Sequence, residues 1–68
     1  MDTYRVLYGG TGQWSGVYDN IACALAHAKM SVEYSVRHRD PVVPHYVQRY
    51  EGDDVWTTVR TLPARGDK

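Results

Sequence analysis

The chain has no phenylalanine, a single cysteine and no net charge. The lone Cys23 excludes an internal disulfide. One thiol also suits a reducing compartment better than a secreted, disulfide-stapled scaffold. Lys and Arg number 8 against 8 Asp and Glu. Nucleic-acid binders ordinarily carry a basic excess, because phosphate neutralisation drives their affinity. A balanced chain argues against that class as a whole, though not against a local basic patch. Balance also weakens repulsion between copies and eases self-association. No apolar run approaches the roughly 18 residues of a membrane-spanning helix. The opening residues MDTYRVLY lack the basic start and apolar stretch of a signal peptide. These absences predict a cytoplasmic protein with no membrane partner.

At 68 residues the chain is expected to form one small domain, residues 1–62, followed by a flexible tail at 63–68, PARGDK. A domain this short buries only about 60% of the surface its unfolded chain exposes. Its core rarely supplies more than about 3–5 kcal/mol. With a disulfide excluded, stability must come from a metal, a partner or tight packing. The aromatics are six Tyr and two Trp. Their apolar bodies and polar tips suit half-buried positions in a small domain, and equally suit interfaces.

Periodicity predicts an α+β fold. TYRVLY (3–8) is β-branched and aromatic, hence a strand. WSGVY (14–18) reads as a second, shorter strand, with GGTGQ as a glycine-rich hairpin connection. Asp19 or Asn20 caps a helix running to about Arg37. On it Ile21, Ala24, Leu25, Ala28, Val32, Ser35 and Val36 form one stripe at about 100° per residue, the expected buried face. Cations at Arg37, His38 and Arg39 favour the helix end, and Pro41 forbids continuation. HYVQRY and VWTTVRTL then flank EGDD, read as a two-residue hairpin centred on Gly52-Asp53. That register sets Tyr50 opposite Val55, Gln48 opposite Thr57 and Tyr46 opposite Val59. The expected order is β-β-α-β-β on a small antiparallel sheet, or β-α-β-β should residues 14–18 not form a strand.

The stretch YGGTGQWSGVYDN (8–20) invites three catalytic readings, and each fails on spacing. A dinucleotide loop needs G-x-G-x-x-G; after Gly10 and Gly12 the next glycine, Gly16, comes one position late. A phosphate-binding P-loop needs Gly-Lys-Ser/Thr, and no Lys precedes Lys29. A nucleophile elbow needs G-x-S-x-G, whereas Gln13 and Trp14 precede Ser15 and Gly16 follows too soon. A hairpin displaying Trp14 is the better reading.

Cys23 and His27, four apart, point the same way on the helix. They are half of a zinc site or a superficial nucleophile–base pair. His38 is too distant to complete a site, and Cys23 reads better as a small apolar residue. No metal, other cofactor or catalytic residue is expected. Glu51, Asp53 and Asp54 read as a solvated turn.

Two surfaces remain. Cys23, His27, Met30 and Tyr34 make a second semi-apolar line on the helix, read as lying opposite the core. It is either a contact surface, with a homodimer as its simplest product, or a set of ordinary exposed apolar residues. Arg49, Trp56 and Arg60, with His45 and Arg5 as further members, are expected on one sheet face. There they could grip a protein, stack bases and hold phosphates, or simply stack on one another. Arg65-Gly66-Asp67 spells an adhesion tripeptide and is taken as chance. The expectation is a non-enzymatic protein-interaction module that occupies a surface on another macromolecule. Small accessory or inhibitor proteins, such as phage-encoded ones, have this make-up. The partner-binding set is Trp14, Cys23, His27, Met30, Tyr34, Arg49, Trp56 and Arg60. Nucleic-acid binding by an Arg/Trp sheet face is the alternative.

Overall fold

β-Branched and aromatic runs at both ends, with a Gly- and Pro-free stretch between them, produce five elements. The computed structural model describes residues 2–62. The elements are β1 (Tyr4–Tyr8), β2 (Trp14–Tyr18), α1 (Ile21–Arg37), β3 (His45–Gly52) and β4 (Val55–Leu62). The strands form one antiparallel sheet in the order β2-β1-β3-β4, with α1 packed on it. The fold is thus α+β in the order expected, and residues 14–18 do form a strand. The tail expected at 63–68, with its Arg65-Gly66-Asp67 tripeptide, lies outside the described residues.

The opening glycine-rich stretch is structural. Gly9 donates its N–H to the Pro44 carbonyl at 2.8 Å. A Cβ there would fall 2.8 Å from that same oxygen, so only glycine fits. Gly12 turns the chain with φ +75°, and its N–H closes on the Tyr8 carbonyl. Between Arg5 and Leu7 the β1–β2 register slips at a bulge. Ser15 repairs it: its Oγ accepts from the Val6 N–H at 3.1 Å and donates to the Gly16 carbonyl. The bulge would otherwise leave a buried donor unpaired.

Asn20 caps α1, its side-chain oxygen accepting the Cys23 N–H at 2.9 Å. The helix ends well before Pro41. The Asp40 N–H bonds the Ser35 carbonyl and the Arg39 N–H bonds the Val36 carbonyl. Arg39 sits at φ 59°. This is a Schellman cap with arginine where glycine is usual.

The core comprises Tyr4, Val6, Ala24, Ala28 and Val47, ringed by half-buried Tyr8, Tyr18, Ile21, Leu25, Val59 and Leu62. Ala24 and Ala28 are fully buried against Val6 and Val47 on the central strands. Fully burying a valine side chain contributes about 1.5–3 kcal/mol. The expected stripe holds from Ile21 to Ser35. Val36 departs from it, 62% exposed. Two polar residues, His27 and Ser31, join the sheet-facing side instead.

The second hairpin turns one residue later than expected. Its central pair is Asp53-Asp54, at φ 55° and 61°, a left-handed pair that Asp tolerates. Gly52 at φ 101° takes up a register shift between Tyr50 and Gly52. A second shift lies between Val47 and Gln48. Tyr50 therefore faces Trp56, Gln48 faces Thr58 and Tyr46 faces Thr61. Partners across a ladder share a face and successive residues alternate. Trp56 accordingly lies with Tyr50 on the face away from α1.

The two local backbone devices give opposite expectations. Arg39→Gly relieves the left-handed penalty and should raise stability by about 1 kcal/mol. Ser15→Ala orphans the Val6 N–H and should lower it by about 1–3 kcal/mol. Denaturant unfolding of both variants beside the wild type checks the signs.

Candidate functional site

Two surfaces and one internal seam hold the chemistry-bearing side chains. The seam lies between α1 and the sheet. His45, 3% exposed, places Nδ1 2.8 Å from the Val43 carbonyl and Nε2 2.9 Å from Ser31 Oγ. A carbonyl only accepts, so Nδ1 carries a proton. In the neutral ring Nε2 then accepts from the Ser31 hydroxyl. An oriented hydroxyl–imidazole pair is the geometry of an activated nucleophile. Here the Tyr8 ring packs edge-on against His45 at 5.3 Å. Ser31 is mid-helix, where neighbouring N–H groups are committed to the helix and none converges on an oxyanion. Four clefts on the described surface are lined by other residues. The pair ties α1 to β3.

His27 belongs to the same seam. Its Nε2 lies 2.6 Å from the Tyr8 hydroxyl, and its ring sits near those of Tyr8 and Tyr18. The expected line Cys23–His27–Met30–Tyr34 is therefore divided. His27 turns inward, while Cys23 is exposed, Met30 is 70% exposed and Tyr34 is 61% exposed. Nor does the line lie opposite the core. At 3.6 residues per turn it runs down a flank, about a quarter to a third of a turn from Ala24. Tyr34 stacks on His38 at 4.0 Å and shares a shallow cleft with Met30, Glu33 and Arg37. Among the described residues no three His, Cys, Asp or Glu side chains converge as metal ligands.

The open sheet face carries the densest constellation. On β1, Val6 points to α1, so Arg5 points away. Its guanidinium carbon lies 4.2 Å from the Trp56 ring centroid and 5.2 Å from that of Trp14. Such contacts contribute about 0.5–1 kcal/mol each when exposed, and more when desolvated. Arg5 Nε donates to Gln48 Oε1 at 2.8 Å, and Gln48 Nε2 donates to Thr58 Oγ1 at 3.2 Å. Tyr50 packs on Trp56 with ring centroids 5.0 Å apart. Together with Thr3, Val17 and Asp54, these aromatics and Arg5 line an open cleft of about 590 Å³. Burial depresses the Arg5 pKa below the usual guanidinium value.

Of the expected sheet-face group, the fold unites only Trp56 with Arg5, and adds Trp14 to them. Arg49 pairs with Tyr4 and Thr57 on the other face and bridges to Glu51 at 3.1 Å. His45 is in the seam. Arg60 lies at the second register shift, exposed, donating to the Val59 carbonyl. Tyr50, Gln48 and Asp54 were missed. Only the true turn position would have aligned them with Trp56.

The sequence matches no family model, and no curated protein or solved structure is similar enough to count as a relative.

Tyr8 offers a pH-dependent readout of the seam. Its pKa is raised above the usual 10.0, first by burial and then by repulsion from Tyr18. The folded state thus holds the phenolic proton longer than the unfolded chain. The stabilisation is complete below pH 10.0 and is lost as pH rises through the higher folded value. Thermal melts from pH 8 upward should show declining stability beyond about pH 10, and Tyr8→Phe should flatten that decline.

Proposed function

We propose that this protein is a non-enzymatic interaction module, an accessory or inhibitor type of domain that acts by occupying a surface on a partner protein. One observation carries the reading: Arg5 lies within cation–π distance of both Trp14 and Trp56 on a sheet face that no element of the described chain covers. Rigid aromatics beside an arginine are the residue types that dominate binding hot spots. Trp14, half of whose surface is open (52%), supplies an anchor. The nucleic-acid alternative fits this face less well. Arg5 already occupies an indole face on which a base would stack, and Asp54 opposes phosphate in the same cleft.

The test is affinity capture from the native cellular context with wild type, Trp14→Ala and Tyr34→Ala. The wild type and Tyr34→Ala should retain a protein that Trp14→Ala loses. Equal recovery by all three, or recovery of nucleic acid alone, would defeat the proposal.

The helix flank supports a homodimer as a second reading. Met30 and Tyr34, one turn apart, are both exposed, with exposed Cys23 farther up the same flank, on a chain of zero net charge. Sedimentation should show self-association that Met30→Glu/Tyr34→Glu abolishes. A wild type that remains monomeric at high micromolar concentration would sink this reading.

A further inference from the structure

We infer that Arg5 is a receptor for an acidic side chain of a partner protein, an Asp or Glu carried in a segment that crosses the open sheet face with apolar neighbours against Trp14 and Tyr50. The inference rests on the interaction reading above and gives its partner a chemistry. The geometry leaves a planar fork in waiting. The guanidinium carbon lies 4.2 Å from the Trp56 ring centroid and 5.2 Å from that of Trp14. Gln48 holds its Nε edge, and Thr58 in turn holds the Gln48 amide. The two terminal nitrogens have no hydrogen-bond partner among the described residues. The ion pair those residues do contain joins Arg49 to Glu51, not Arg5 to any acid. Asp54 lines the same cleft without pairing with Arg5.

Partial desolvation of a cation with no paired counter-charge carries some cost and lowers its pKa. A carboxylate delivered to the free fork offsets that cost with two charge-assisted hydrogen bonds in one plane. The preset orientation spares the entropy a free arginine would lose on binding.

The rest of the cleft selects the source of the carboxylate. It holds one cation and one acid, so a polyanion that seats one phosphate on Arg5 meets Asp54 with the next. A single acid among apolar residues meets Trp14, Val17 and Tyr50 instead.

The experiment titrates the ¹⁵N-labelled full chain with N-acetyl-Leu-Glu-Leu-amide and with the corresponding Gln peptide, following the indole N–H signals of Trp14 and Trp56. The Glu peptide should shift both signals and bind about tenfold more tightly than the Gln peptide. Arg5→Lys should lose most of that preference and Arg5→Met all of it. Amide-signal dispersion reports whether each variant is folded, and the wild-type peptide pair decides without either. Equal binding of the two peptides, no binding of either, or tighter binding of a single-stranded oligonucleotide would overturn the inference. Should Arg5→Met retain the protein partner that Trp14→Ala loses, the carboxylate inference fails while the interaction reading stands.

Discussion

A single 17-residue helix can cover only one face of a four-stranded sheet, and the molecule is organised around that limit. β1 and β3 occupy the centre of the sheet and β2 and β4 its edges. The helix buries Val6 and Val47 from the central strands. Every residue that alternates with these is pushed to the uncovered side. That side must satisfy itself without a second layer, and it does so with side chains able to live half in water. Trp, Tyr, Arg, Gln and Thr stack and hydrogen-bond there in one connected group. The absence of phenylalanine is consistent with this architecture, since few positions are sealed on all sides.

The covered face is also less oily than its hydropathy pattern implies. Ala24 and Ala28 bring the helix close to the sheet, and the space beside them is filled by a polar seam. His45, Ser31, Tyr8 and His27 satisfy one another there, and no buried side-chain polar atom among the described residues lacks a partner. Such a seam adds little net energy per bond, about 0.5–1.5 kcal/mol. It is nonetheless costly to break, because each lost partner leaves a desolvated group behind. It therefore makes the docking of the helix specific in a way that small apolar side chains alone do not.

Much of the fold was legible in the residues. Strand composition, the Asn20 cap and the period of Ile21–Ser35 are local signals, and local energetics decided them. The failures were also local, but subtler. Two left-handed aspartates displaced the second hairpin by one residue, because Gly52 was used for a bulge rather than for the turn. That displacement moved Trp56 across the sheet, away from Arg49 and towards Arg5. The candidate site was therefore only partly readable: Trp14, Arg5 and Trp56 were marked, but Arg49, Arg60 and His45 were grouped with them wrongly. Ser31 lies at the angle of the core stripe, but nothing local to the helix marks it as the partner of His45, fourteen residues on.

Residue type and periodicity by themselves determined the α+β class, the order of the elements and the mismatch of residues 8–20 to three catalytic loop spacings. These depend on backbone preference and side-chain alternation within a few neighbouring residues. Tertiary structure alone decided which side chains meet: Arg5 with two indoles, His45 with a helical serine, His27 with a tyrosine from the first strand. Such meetings depend on strand register. A single extra residue in a bulge reverses the alternation of side chains, and its energy is set by long-range packing rather than by anything written at the bulge itself.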